Sequence, residues 1–410
     1  MRLRINNKIL GLFLIFCTLS IQLLYIDLPS GFNDNLLLSI LGEGDDGIDE
    51  DLIEWLRIPE VKSNSNLEEA LTSPSPLDCL AIFDSGLDQK TWTHLQTRFG
   101  INFRLFKHAG STYTEIFYGE DLDIGGHHGS MMCSLIASLL EDYISQILVF
   151  QVLDEDRHPN NEHIYDALEH IETLWSQGFK VKVVNMSIKT TSDDSDVESK
   201  LQELSSFPYR ITFFAGSGNT RIDDDEHRQV FPADYHPVLG VGGIIFKDSS
   251  FEGFRMRRAN NAFYASMFWT RSTARASTPV VVAPGEEVEV ACDNDGDGVL
   301  DAFLVSGTSA SCAIMSAAAY MIFKIQKYRY PGSYVSSSRI YEIICFNSEG
   351  DNVDSTRKPA VGNSIIYEPT IGWGGVDFYD YLLYAYEMFT PPPPPPPGGG
   401  GGGGGGPRPR

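Results

Sequence analysis

The sequence predicts a three-layer α/β domain built on a mostly parallel sheet, and three observations carry that prediction. Short apolar runs at Leu80–Phe83, Ile147–Val152 and Val181–Ile188 have the length and composition of buried strands. Between the last two lies Asn161–Gln177, an amphipathic helical segment. Strand, helix, strand at this spacing is a βαβ unit, whose crossover places helices on the faces of a parallel sheet. The pattern then continues through Ile211–Ala215, Val238–Val241 and Val280–Val282, with Ile340–Phe346 and Asp377–Met388 as closing helices. No internal repeat is present, and residues 77–390 read as a single domain.

The two ends have a different character. Arg2, Arg4 and Lys8 precede the apolar run Ile9–Ile26, so residues 1–28 have the charged start and apolar centre of an export signal. The run is also near the length of a membrane span, so cleavage and retention as an anchor both stay open. Either outcome predicts a protein that is secreted or membrane-anchored, with its domain outside the cytoplasm. Residues 29–76 are acidic, with one short helix expected around Asp49–Leu56 and a Ser/Pro linker at Thr72–Pro76. They read as an exposed N-terminal extension and a candidate propeptide. Residues 391–410, a proline run followed by glycines, cannot build a core and read as a disordered tail.

Composition excludes some partners. The 31 basic residues are outnumbered by 55 acidic ones, a net charge of −24, which repels nucleic acid. Of six cysteines, Cys17 lies in the leader, which leaves an odd five. No C-x-x-C spacing suggests zinc. Cys79, Cys133 and Cys312 sit in apolar segments and read as small buried hydrophobes, so no disulfide framework is predicted.

The chemistry centres on Ser306–Phe323, SGTSASCAIMSAAAYMIF, where a small-residue turn runs into an Ala-rich helix that must be buried. Ser309 then stands at a helix N-terminus, where free backbone N–H groups and the helix dipole favour an oxyanion. A serine hydroxyl needs a base to take its proton and a third group to orient that base. Asp84 ends a buried strand, and His128 opens a helix from the glycine loop GGHHGS at Gly125–Ser130. Asn219 ends FFAGSGN, where its amide can donate to a developing oxyanion. Taken singly, each is equally a turn former or a helix cap. Taken together, at strand ends and helix starts, they mark the rim where active sites of parallel sheets collect.

At these motifs the chain resembles the subtilisin-like serine peptidases, which share the chain order Asp, His, Ser. LAIFDSGLD at Leu80–Asp88 resembles the Asp motif, and His128-Gly129-Ser130 the His motif, with His127 a solvated loop residue. Ala215–Asn219, Phe231-Pro232-Ala233 and VLGVGG at Val238–Gly243 resemble the segment of the oxyanion Asn. Ala283-Pro284-Gly285 and Gly307-Thr308-Ser309 resemble the Ser block, and GWGGVDFY at Gly372–Tyr379 the closing motif. The resemblance implies a serine endopeptidase with Asp84, His128 and Ser309 as triad and Asn219 in the oxyanion hole. It implies protein or peptide substrates bordered by Ser187, Ile188, Gly216, Ser217 and Gly218, and no cofactor for the chemistry. Neutral or mildly alkaline pH should suit it, because His128 must be unprotonated to act as base.

Two departures stand out. Ala313 replaces a proline that usually follows the Ser, a packing change. Lys189-Thr190 replaces a glycine pair that lets substrate backbone approach closely, so Lys189 either narrows the cleft or favours acidic side chains. The alternative function is therefore a catalytically impaired binding module. An esterase is disfavoured by the absence of its G-x-S-x-G elbow. Finally, DNDGDGVLD places Asp293, Asp295, Asp297 and Asp301 at calcium-loop spacing, but Leu304 stands where the bidentate Glu belongs. Structural calcium and a plain acidic hairpin both remain open.

Overall fold

The computed structural model describes residues 50–116, 123, 127–154, 156, 158–190, 192–219, 231–244, 281–285, 287–293, 300–331, 336–347 and 376–389. Residues 1–49, the part of the closing motif at 372–375, residues 390–410, Asp295 and Asp297 lie outside them.

An eight-stranded sheet forms the middle layer, in the order β3-β2-β4-β1-β5-β6-β7-β8. Its strands are β1 (Asp78–Asp84), β2 (Asn102–His108), β3 (Tyr113–Ile116), β4 (Gln146–Gln151), β5 (Lys180–Met186), β6 (Thr212–Gly216), β7 (Val238–Ile244) and β8 (Val281–Pro284). Neighbours pair in parallel except β3, which turns back antiparallel on β2 at the edge. β1 shows why the interior strands read as unbroken apolar runs. Every residue of it is buried, with Leu80 and Ile82 in one core and Cys79, Ala81 and Phe83 in the other. A strand covered on both faces has no polar side to alternate with.

The first core holds α4 (Gln89–Phe99), α5 (His128–Leu140) and the long central helix α8 (Thr308–Arg329), with α9 (Ser337–Asn347) and α10 (Phe378–Met388) beside it. The second holds α6 (Asn161–Ser176) and α7 (Ser195–Ser205) on the opposite face. Side-chain caps set the helix starts: Asp88 accepts from two backbone N–H groups of α4, Asn160 from two of α6 and Asp194 from two of α7. α8 is long and apolar enough to cross a membrane, but it lies buried inside the domain. A separate antiparallel hairpin, β9 (Val288–Cys292) with β10 (Asp301–Val305), leads directly into it.

The expectation of an exposed N-terminal extension is corrected from residue 50 onward. Here α1 (Glu50–Trp55), α2 (Ile58–Ser63) and α3 (Ser65–Thr72) fold onto the first core. Leu52, Leu56, Val61, Leu67, Ala70 and Leu71 are fully buried in it. Arg57 bridges Asp377 and Asp380 at the start of α10, at 3.1 and 3.2 Å. Lys324 of α8 donates to the Ser73 carbonyl at 2.7 Å. The segment is acidic as a whole, but its apolar residues recur at helical spacing, and Glu54, Glu60, Lys62 and Glu69 stay exposed.

Candidate active site

From Thr308 to Gln326 every residue of α8 is buried except Ser309. The helix thus presents one hydroxyl at its opening turn. Gly307, at φ 154°, precedes it, and a β-carbon there would come within 3.1 Å of the Asn219 amide. Glycine is what lets the turn pass so close.

Asp84 closes β1 with its side chain 1 % exposed. Its Oδ1 accepts from the Ser85 backbone N–H at 2.8 Å and from His128 Nδ1 at 2.7 Å. A carboxylate can only accept, so Nδ1 carries the proton and Nε2 keeps a lone pair. About a third of the His128 side chain is exposed. Burial acts to lower the His128 pKa, but the charge of Asp84, the hydrogen bond between them and the field of Asp123 outweigh it. The imidazole therefore protonates above its ordinary range.

Close approach of α5 to the β1 turn sets this geometry. A β-carbon on Gly129 would lie 2.2 Å from the Gly86 carbonyl oxygen, so only glycine fits after His128. Asp123 ties the two elements together. It accepts from Ser85 Oγ at 2.6 Å, from Ser130 Oγ at 2.6 Å and from the Ser130 N–H at 3.0 Å. Ser85 Oγ in turn accepts from the Gly129 N–H at 2.8 Å. His127 is a correction: it is not a solvated loop residue. It sits at the helix N-cap with φ 64°, its side chain 21 % exposed, 3.9 Å from Asp88 Oδ2.

Asn219 lies against the start of α8. Its Oδ1 accepts from the Thr308 N–H at 2.9 Å and from Thr308 Oγ1 at 3.1 Å. A backbone N–H fixes which end of the amide faces it, so Nδ2 is left as the donor on the other side. The structure therefore brings Asp84 to His128, and Asn219 to the turn that carries Ser309. It does not join Ser309 to His128: the Ser309 hydroxyl donates to the Ser187 carbonyl at 3.3 Å.

The residues expected to border a peptide are placed unevenly. Ser187 is buried, with its hydroxyl 3.0 Å from both Asn185 Oδ1 and the Ser309 carbonyl. Ile188 packs into the second core, so these two can offer a peptide mainly their backbone. Gly216 ends β6, and the Gly218 N–H donates to Thr308 Oγ1 at 3.3 Å. Ser217 is fully buried, its N–H held by the Val241 carbonyl at 2.9 Å. Lys189 is exposed. Asp293 is buried and Asp301 exposed. Among the described residues no group of three or more His, Cys, Asp or Glu could hold a metal ion. Cys312, one turn into α8, receives a hydrogen bond from Asn185 at 3.1 Å. Burial pushes its thiol up to about 12, so it is not a competing nucleophile.

Sequence reasoning missed Asp123, Thr308 and Asn185. Asp123 stands five residues before His128 in a glycine-rich loop, where its carboxylate looks like one more solvated charge. Its role depends on serines in two other elements.

The sequence model of the Subtilase family matches residues 79–340, more than half of the chain. The chain belongs to the subtilase family. Membership makes it a subtilisin-like serine peptidase, as the motif order implied. The prenylagaramide maturation protease PagA has a similar solved structure, with TM-score 0.50 and 18 % identity over 78 % of this chain and 98 % of that one. A mutant of the protease domain of PatA aligns with TM-score 0.49 and 15 % identity, over 77 % and 97 %. At these identities the likeness to PagA bears on the fold alone. Among curated proteins none matches this chain.

Proposed function

We propose that this subtilase is an active endopeptidase in which Ser309 attacks the scissile carbonyl and His128 Nε2 takes its proton. Asp84 holds the Nδ1–H tautomer and favours the imidazolium that forms. The carbonyl oxygen becomes an oxyanion facing Asn219 Nδ2 and the Ser309 backbone N–H, which at a helix start has no intrahelical acceptor. Collapse of the tetrahedral species breaks the C–N bond, and His128 passes its proton to the leaving amine. Water then attacks the acyl-enzyme, giving a proton to His128, which returns it to Ser309 Oγ. One observation carries this reading: the sole unburied residue in nineteen consecutive helix positions, Thr308–Gln326, is the serine. The Asp84–His128 hydrogen bond and the orientation of Asn219 support it.

The reaction requires the Ser309 hydroxyl to leave the Ser187 carbonyl and turn to His128. That existing bond, with Lys189 beside the cleft, favours a second reading, a subtilase fold used for binding alone. The charged start and apolar run of residues 1–28, read as a signal peptide or signal anchor, support work outside the cytoplasm in either case.

Labelling by a fluorophosphonate probe decides between the two. The test compares the full chain with its Ser309→Ala variant, because truncation at Leu77 would strip buried helices from the core. Labelling that the variant loses is the expected result. Absence of labelling in folded protein would leave the binding reading.

A further inference from the structure

We propose that Lys189 makes this site selective for peptides carrying a carboxylate side chain close to the cleaved bond. The inference rests on the peptidase reading above and names the substrate class for it.

The position of Lys189 follows from the contacts of its neighbours. The Ser187 carbonyl lies 3.3 Å from Ser309 Oγ. Backbone spans at most about 3.6 Å per residue, so Lys189 starts within about 7 Å of Ser187. Residues of an extended peptide are spaced by about the same step, so the ammonium reaches side chains within roughly two or three residues of the scissile carbonyl. The backbone on either side is fixed. Ser187 holds the start of α8, and Ile188 is buried in the second core. Thr190 is buried, its N–H donating to the Phe231 carbonyl at 3.0 Å and its hydroxyl to the Ser192 carbonyl at 2.9 Å. Lys189 alone in Ser187–Thr190 is exposed.

Its charge is also unspent. Lys62, Lys200 and Lys327 each pair with a carboxylate. Lys189 makes no ion pair or hydrogen bond among the described residues, although the chain carries a net charge of −24. That overall field repels an acidic peptide. An exposed cation two residues along from the carbonyl that meets Ser309 Oγ, with no ion pair among the described residues, offsets the repulsion where the peptide must dock. A substrate carboxylate would supply the missing partner and lose water on binding, which strengthens the pair relative to one on open surface.

The test uses fluorogenic peptides in pairs that differ only by Asp or Asn, scanned one position at a time across the cleaved bond. Asn keeps the shape and removes the charge. The expected result with the full chain is an Asp-over-Asn ratio in kcat/KM of about three- to thirty-fold at one position, falling with added salt. In Lys189→Glu that ratio should drop below one. Comparing peptides within one variant cancels any change in overall activity. A ratio near one at every position, or an unchanged ratio in Lys189→Glu, would overturn the proposal while cleavage itself upheld the peptidase reading. If no peptide is cut, the same pairs are compared for binding to Ser309→Ala by fluorescence anisotropy. Equal binding of Asp and Asn peptides there also overturns it.

Discussion

Gly129→Ala gives the sharpest check on how the site is assembled. The added methyl would sit 2.2 Å from the Gly86 carbonyl oxygen and 2.9 Å from the Gly86 nitrogen, where ordinary contact begins at 3.4 Å. The shortfall is 1.2 Å (3.4 − 2.2), and both atoms are backbone, so no rotamer change relieves it. Either the turn after Asp84 or the start of α5 must move by about that distance. These are the elements that hold Asp84 and His128 at 2.7 Å. Overpacking of this kind costs about 1–3 kcal/mol, and a misplacement of about 1 Å costs about 10²-fold in rate. Gly100→Ala is the comparison. It has φ 65° and nothing within 4 Å, so it carries left-handed strain of about 1–2 kcal/mol with no clash. The assays are Tm and the rate of fluorophosphonate labelling. Both variants should lose stability, and only Gly129→Ala should lose labelling. A Gly129→Ala protein that labels within a few-fold of the parent would refute the claim that this contact sets the Asp84–His128 geometry.

Two further outcomes follow from the same structure. Asp123→Asn removes one of the charges that raise the His128 pKa, so the acid limb of the activity profile should move to lower pH; an unmoved limb would deny Asp123 that role. The stability effect has the opposite dependence. The raised pKa stabilises the fold fully below the unfolded value of about 6.5 and is lost as pH climbs through the folded value, so Asp123→Asn should cost stability mainly in acid. Leu71→Ala, in the helix expected to be an exposed extension, should cost about 2–5 kcal/mol in urea unfolding; a loss under about 0.5 kcal/mol would return α3 to the surface.

How much was legible in the sequence depended on whether a residue's role is local. The parallel sheet was readable because strands buried on both faces write their burial as continuous apolar runs, as β1 and β4 do. The positions of Asp84, His128, Asn219 and Ser309 at strand ends and helix starts were readable because each stands beside glycines in a short local motif. β2 was missed because it mixes exposed and buried positions, and α7 because Val197, Leu201 and Leu204 are spread among charges. The N-terminal helices failed for a related reason. Averaged over the segment their acidity suggested solvent, whereas their stripe of apolar residues shows only against α8.

Asp123 marks where sequence reading runs out, and why. Its effect needs a turn serine from β1, a helix serine from α5 and an imidazole, brought together by a fold that no single stretch encodes. Asp84 is paired by His128 and the Ser85 N–H, and Asp123 by two hydroxyls and an N–H, so each carboxylate meets donors from the turn or helix it joins. The negative charges of Asp84 and Asp123 outweigh burial at the imidazole and raise the His128 pKa. The acid limb of the pH profile is therefore where the assembly of β1, α5 and the intervening loop becomes measurable as chemistry.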